Sequence, residues 1–145
     1  MQREEARAIE HDCERTLLRF YDCFDAWDYA GMLALCTPDC LWHRAGKDLV
    51  GHALILAELQ KRTTTQTVRH VLSNVLVDAH DASHASLKCL LTAYRYDDGT
   101  KRTSPPLIHK PILLLVVTAE LVREGEAWLI SRQWMKREFL FEEGL

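Results

Sequence analysis

The sequence contains no long hydrophobic run, since no stretch reaches the roughly 18 apolar residues that a membrane span requires. Neither sign of charge is in excess, because 18 basic residues stand against 21 acidic ones and the formal net charge is -3. Without a basic stripe, nucleic acid is not an expected partner. Repeats, low-complexity runs and interdomain linkers are also missing, so we expect one domain over residues 1–145.

The N-terminus lacks the apolar core of a signal peptide, because charged residues from Arg3 to Arg7 lead directly into an amphipathic pattern. We therefore expect a cytoplasmic protein. Five cysteines make an odd set, which favours free thiols in a reducing compartment. Cys36 and Cys40 have ligand-like spacing, but no second Cys or His pair matches a zinc site. We expect neither a metal nor a cofactor.

Apolar residues recur at three- and four-residue steps from about Glu4 to Asp28, which predicts a long helix with one buried face. A second, short helix is predicted over residues 29–36, stopped by Pro38. A third is predicted over residues 52–62. Between them, residues 41–43 are typical of a brief strand.

The second half of the sequence is typical of a β-sheet. Polar turns separate four predicted strands, at about 67–79, 84–97, 107–123 and 127–140. Three prolines, Pro105, Pro106 and Pro111, place an irregular or edge segment at the start of the third strand, because proline cannot donate a ladder hydrogen bond. Helices followed by hairpin-linked strands predict an α+β fold, with the helices packed on one face of a curved, mostly antiparallel sheet.

His70 is a titratable ring in the middle of an apolar strand pattern, residues 68–77. Because side chains alternate along a strand, the even positions share one face, which places the imidazole beside Val68, Leu72 and Leu76. Two interpretations stay open. The ring is either a core histidine bonded to a backbone carbonyl, or a group whose pKa is tuned by burial and a nearby carboxylate.

Several segments, in this order and spacing, carry a family resemblance. Residues 21–39 combine a helix, an aspartate-containing turn and a second helix that ends in Thr-Pro-Asp. Gly51 precedes the next helix, and residues 69–75 form an Arg-His strand. Residues 125–132 contain a closing Gly-x-x-Trp hairpin. Together they resemble the SnoaL-like branch of the nuclear transport factor 2-like (NTF2-like) superfamily over nearly the whole chain.

The resemblance implies an NTF2-like cone, in which the helices close the curved sheet around an apolar pocket. Relatives include polyketide cyclases, scytalone dehydratase, bile-acid dehydratase, ketosteroid isomerase, a dehydrochlorinase and the non-catalytic β subunits of ring-hydroxylating dioxygenases. By resemblance, Asp25 and His70 fall where several dehydratases and the dehydrochlorinase carry an Asp–His dyad. The sequence departs from the scytalone-type pattern at Phe24, which replaces a tyrosine, and near Ala93, which replaces a second histidine.

This dyad fits chemistry that begins with removal of a proton from carbon, because a carboxylate can fix the histidine tautomer and stabilise the imidazolium. The sequence thus predicts a cofactor-independent lyase, isomerase or cyclase that acts on a small apolar cyclic or polyketide-like molecule, with Asp25 and His70 as catalytic residues. The alternative is a non-catalytic ligand-binding or assembly subunit resembling a dioxygenase β subunit, since that group shares the Arg-His-x-x-x-Asn strand signature.

Further side chains are candidates for the substrate-binding pocket, as hydrogen-bond donors or as lining rings. The candidate set is Tyr21, Phe24, Trp42, Asn74, Tyr94, Tyr96, His109 and Arg132. Periodicity alone does not decide whether Arg132 faces the pocket or a subunit contact. Large apolar residues over 134–141 exceed what a cone interior can hold, so we expect a homodimer or homotrimer.

Overall fold

Three helices precede the long strands, as the periodicity predicts. In the computed structural model, which describes residues 1–142, they are α1 (Arg3–Asp25), α2 (Tyr29–Ala34) and α3 (His52–Leu59). Helix α1 buries one stripe of side chains at three- and four-residue steps, among them Ile9, Cys13, Leu17, Phe20 and Phe24. This stripe packs against the inner face of the sheet.

Six strands form one curved sheet. They are β1 (Cys36–Arg44), β2 (Lys47–Val50), β3 (Thr67–Ala79), β4 (His84–Tyr96), β5 (Leu113–Glu124) and β6 (Ala127–Phe139). Their order across the sheet is β2-β1-β6-β5-β4-β3, and every neighbouring pair is antiparallel except β1 with β6. The predicted α+β class is confirmed, and β5 begins only at Leu113, after the proline-containing segment.

The first sheet region is larger than the predicted strand over 41–43. Pro38 lies within β1 instead of ending a helix, since α2 already stops at Ala34. The register between β1 and β6 shifts between Cys36 and Leu41, and a proline is tolerated where a strand is irregular. A tight turn then folds β2 back along β1.

A bulge in β3 corrects the predicted facing of its side chains. Asn74 has a positive φ of 52°, and the register with β4 shifts between Ser73 and Leu76. Before the bulge the even residues, including His70, face α1; after it the odd residues do. Leu76 is therefore 68% exposed, and neither it nor Asn74 shares the His70 face.

A second bulge, in β6, settles the orientation of Arg132. The register with β5 shifts at Ser131, because Leu121 pairs with Ile130 and Glu120 pairs with Arg132. Inward-facing side chains therefore change from even to odd positions, and Gln133 is buried while Arg132 is exposed on the outer face. The alternation that would put residues 128, 130, 132 and 134 on one face does not continue beyond the bulge.

Large apolar side chains are exposed on the outside of the sheet and at its end. Val71 is 49% exposed and Phe139 is 62% exposed. Oligomerisation through such residues stays a prediction. Within residues 1–142, none of the helices combines the length and the apolar character needed to cross a membrane.

All five cysteines are free thiols, and all but Cys23 are buried. Burial raises the pKa of Cys13 to about 12, with the nearby Asp12 carboxylate adding to the effect. Burial also raises the pKa of Cys89 to about 12. These thiols behave as small apolar core groups rather than as nucleophiles.

Gly31 is required by the cap of α2. Asp28 accepts a hydrogen bond from the Gly31 N–H at 2.9 Å, and a Cβ added at Gly31 would collide with that carboxylate and lie 2.9 Å from Cys23 Sγ. Gly31→Ala is expected to lower the free energy of unfolding by about 1–2 kcal/mol, because the cap is displaced. Urea denaturation measures it. In an Asp28→Ala background the added penalty is expected to shrink, and an equal penalty in both backgrounds would contradict this cause.

Candidate active site

Asp25 is the last residue of α1, where the helix ends because Trp27 takes a left-handed φ of 63°. A carboxylate at this end faces the negative pole of the helix dipole, which is unfavourable by itself. Two hydrogen bonds from His70 compensate for this unfavourable interaction with the dipole. The Nδ1 atom of His70 lies 2.6 Å from Oδ1 of Asp25, and the His70 backbone N–H donates to Oδ2 at 3.0 Å.

The edge position of β3 allows Asp25 to bind both the ring and the backbone N–H of His70. Amide groups on the free side of an edge strand have no strand partner, so the His70 N–H is available to Asp25. On the other side, His70 pairs with Ala93 of β4. The side chains of His70 and Asp25 are only 10% and 13% exposed, so the pair is largely shielded from solvent.

The two nitrogens of the His70 ring have different environments. A carboxylate can only accept a hydrogen bond, so Nδ1 carries a proton, and the neutral ring leaves a lone pair on Nε2. Nε2 makes no hydrogen bond within residues 1–142. Among those residues the fully enclosed, unpartnered side-chain atoms are Thr37 Oγ1 and Lys110 Nζ. The Nε2 atom is therefore unbonded and not fully enclosed.

Aromatic rings enclose the imidazole on its inner side. Ring centroids of Phe24 and Tyr21 lie 4.6 Å and 5.3 Å from that of His70, and Trp42 lies 5.7 Å from Phe24. Phe24, Tyr21 and Trp42 are all at least 98% buried, so the interior beside the dyad is filled by rings. Of the predicted lining residues, the structure brings these three together around His70.

The Tyr21 hydroxyl is already engaged. It donates to Oε1 of Gln133, which is 1% exposed, and its next neighbour is the Met135 sulfur at 4.0 Å. Burial raises the pKa of Tyr21 well above its ordinary value, so the phenol stays protonated. The sequence analysis missed Gln133 because the bulge at Ser131 reversed the alternation on which it depended.

Two arginines, also missed, flank the Phe24 ring. The Arg62 guanidinium carbon lies 4.2 Å from the ring centroid, and Nη1 donates to the Tyr29 hydroxyl at 3.0 Å. Arg44 lies 5.3 Å from the same ring and 4.8 Å from Trp42. Alternation along β1 could have found Arg44, because it shares a strand face with the buried Trp42 two residues earlier.

The other predicted substrate-binding residues lie away from the dyad. Tyr94 pairs with Arg69 on the outer face of the β3–β4 hairpin, and His109 is exposed in the irregular segment before β5. Tyr96 directs its hydroxyl toward Asp98 at 3.4 Å. Asn74 and Arg132 were moved outward by the two bulges. Arg132 lines an outer-face cavity of about 520 Å³.

A second cavity, of about 280 Å³, lies at the far end of the sheet near His80 and His84. Neither cavity is bordered by Asp25 or His70. An apolar pocket beside the dyad stays a prediction. No group of three His, Cys, Asp or Glu side chains in residues 1–142 has a metal-binding arrangement.

Comparisons with known proteins place this geometry in a family. A family model described as a SnoaL-like domain matches residues 17–101, which include Asp25 and His70. No curated protein sequence matches the chain.

Solved structures share the fold at low sequence identity. A scytalone dehydratase-like protein of Novosphingobium aromaticivorans is 15% identical, with 99% of this chain and 93% of that chain covered and a TM-score of 0.82. The protein Aln2 from a Streptomyces species is 18% identical, with 90% of this chain and 91% of that chain covered and a TM-score of 0.74. A hexachlorocyclohexane dehydrochlorinase, LinA type 2, is 12% identical, with 92% of this chain and 88% of that chain covered and a TM-score of 0.73. With more than half of its residues matched by the family model, the chain belongs to the SnoaL-like domain family of the NTF2-like superfamily.

Proposed function

We propose that this chain is a cofactor-independent enzyme that uses Asp25 and His70 for general acid/base chemistry on a small apolar cyclic or polyketide-like molecule. One observation carries the proposal. The Asp25 carboxylate holds both the Nδ1 atom and the backbone N–H of His70, while Nε2 is unbonded and not fully enclosed. A base needs this arrangement, because its lone pair must face the substrate while its other nitrogen is fixed.

The reaction would begin at a carbon next to a carbonyl, or next to a carbon that bears a leaving group. Nε2 of His70 takes the proton, the C–H bond breaks, and its electron pair moves into an enolate or a new double bond. The resulting imidazolium is stabilised by the Asp25 charge at 2.6 Å. Return of the proton to another carbon gives isomerisation, and its delivery to a departing group completes an elimination.

Two comparisons support chemistry of this kind. Dehydratases and dehydrochlorinases both eliminate a small molecule, and proteins with those names share this fold. The low exposure of the dyad also favours catalysis, because electrostatic interactions are stronger where water is excluded.

Hydrogen–deuterium exchange of a carbon acid tests the proposal without knowledge of the natural substrate. We would follow exchange of the α-protons of 2-tetralone in D₂O by proton NMR. The wild-type protein is expected to accelerate exchange, and His70→Gln is expected to lose about 10²–10⁴-fold of that acceleration. Exchange at the buffer rate in the wild type, or an unchanged rate in the variant, would contradict the proposal.

A second histidine gives a matched control. His43 Nδ1 also lies 2.6 Å from a carboxylate, that of Asp48, but this pair is exposed on the β1–β2 hairpin. His43→Gln is expected to retain the wild-type exchange rate. Loss of exchange in both variants would mean that the effect is not specific to the dyad.

The filled interior favours a second candidate, a non-catalytic ligand-binding or assembly subunit like the dioxygenase β subunits. Tyr21, Phe24 and Trp42 occupy the space beside His70. On this alternative the Asp25–His70 contact only fixes the end of α1 to the edge strand. Unaccelerated exchange together with a loss of thermal stability in His70→Gln would favour it.

A further inference from the structure

Arg44 and Arg62 come from different elements and converge on one ring. Arg44 ends β1, and Arg62 follows α3. Their guanidinium carbons lie 5.3 Å and 4.2 Å from the centroid of Phe24. The same ring lies 4.6 Å from the His70 ring, so both positive charges are one phenyl group away from the proposed base.

Neither guanidinium forms an ion pair within residues 1–142, although the Glu58 and Asp25 charges act on Arg44 and Arg62 from a distance. The carboxylates close to them are already bound: Asp25 by His70, and Glu58 by Lys61 at 2.7 Å and Lys47 at 3.4 Å. No ion pair within 4.0 Å involves Arg44 or Arg62 in that part of the chain.

The hydrogen bonds of the two arginines supply no negative charge either. Arg62 donates to neutral acceptors, the Tyr29 hydroxyl and the Phe24 carbonyl, and Arg44 makes no hydrogen bond to another described residue.

Stacking on aromatic rings offsets only part of the hydration that the two guanidinium groups lose. Burial lowers the pKa of Arg44, and the positive charge of Arg62 adds to this effect while the nearby Tyr21 and Glu58 oppose it. Burial also lowers the pKa of Arg62. Arginine nevertheless stays charged at neutral pH, so two partly desolvated like charges lie against the same aromatic ring. An anion between them would relieve both the repulsion and the lost hydration.

We infer that Arg44 and Arg62 bind a carboxylate group of the substrate, so that the molecule acted on by His70 is an apolar ring system carrying an acid group. The inference rests on the proposed function for the identity of the ligand as substrate. The guanidinium forks would hold the carboxylate through paired hydrogen bonds and fix the reacting carbon relative to Nε2.

Binding of a matched pair of probes tests the inference directly. Isothermal titration calorimetry would compare 2-naphthoate with 2-naphthamide, which have nearly the same shape but differ in charge. The wild-type protein is expected to bind the carboxylate at least about tenfold more tightly, a difference of about 1.4 kcal/mol, and added NaCl is expected to reduce this preference. Arg44→Gln and Arg62→Gln are each expected to abolish it.

Arg132 provides the control, because it also stacks on an aromatic ring, that of Trp134 at 5.5 Å, but on the outer face. Arg132→Gln is expected to keep the preference. Equal affinity for the two probes in the wild type would overturn the inference, as would a carboxylate dissociation constant above about 10 mM. The wild-type comparison holds even if an arginine variant fails to fold.

The result of this binding test can be distinguished from the result of the exchange test of the proposed function. 2-Tetralone is uncharged, so its exchange reports on His70 and not on the arginines. Carboxylate preference without accelerated exchange would support the anion site and overturn the proposed catalysis. Accelerated exchange without carboxylate preference would do the reverse. His70→Gln is expected to retain the preference, because the imidazole is not one of the proposed anion contacts.

Discussion

Replacing Asp25 by Asn is expected to cost as much exchange activity as removing the His70 ring, a loss of about 10²–10⁴-fold. The carboxylate accepts two hydrogen bonds, from Nδ1 and from the His70 backbone N–H. An amide has only one oxygen. If that oxygen keeps the backbone N–H, its NH₂ group faces Nδ1 and favours the tautomer with the proton on Nε2. That tautomer has no lone pair for the substrate.

The measurement is 2-tetralone exchange by Asp25→Asn, His70→Gln and the double variant. Because the two residues act as a unit, the double variant is expected to be no slower than either single variant. Asp48→Asn, in the exposed His43–Asp48 pair, is the control and is expected to have the wild-type rate. Full activity in Asp25→Asn would contradict the assigned role.

The stability of Asp25→Asn is expected to fall little. The lost charge removes an unfavourable contact with the C-terminal end of α1, which offsets part of the weakened bond to His70. Thermal unfolding measured beside the exchange assay therefore separates a chemical defect from a folded-state defect.

Periodicity predicted the long elements because each exposes one face and buries the other. The α1 stripe and the outer bounds of β3, β4 and β6 are close to their predicted limits. Periodicity failed where a bulge adds one residue to a strand, because the bulge changes which side chains face inward. The bulges at Asn74 and Ser131 leave composition unchanged but exchange inner and outer faces. Asn74 was therefore predicted on the wrong side, and the side of Arg132 was left undecided.

The residues of the candidate site were less predictable from the sequence than the long helices and strands. Position 70 was identified from a polar ring in an apolar strand, but its partner Asp25 lies 45 residues away, and only the family resemblance connected the two. For Arg44 the only signal was the strand face that it shares with the buried Trp42, and Arg62 had none. An arginine after a helix is ordinarily solvated, and only the packing of α1 shows that both arginines meet the Phe24 ring.

The buried bond between Tyr21 and Gln133 carries the second large effect, on stability. Gln133→Leu is expected to lower the free energy of unfolding by about 1–3 kcal/mol, because the buried Tyr21 hydroxyl loses its acceptor. The Met135 sulfur, 4.0 Å away, is too weak an acceptor to replace the amide oxygen. Tyr21→Phe is expected to cost a similar amount, since it leaves the Gln133 oxygen unpaired.

Removing both partners is expected to recover most of the loss, because an apolar pair of similar shape leaves no polar group unpaired. Urea denaturation of the wild type, the two single variants and Tyr21→Phe/Gln133→Leu measures the coupling free energy. Gln66→Leu is a control, since the Gln66 amide donates to the Thr63 carbonyl in an exposed turn and its loss is expected to change little. Additive losses in the double variant would show that the two side chains stabilise the protein independently. The Tyr21–Gln133 hydrogen bond would then not be the cause of the stability lost in either single variant.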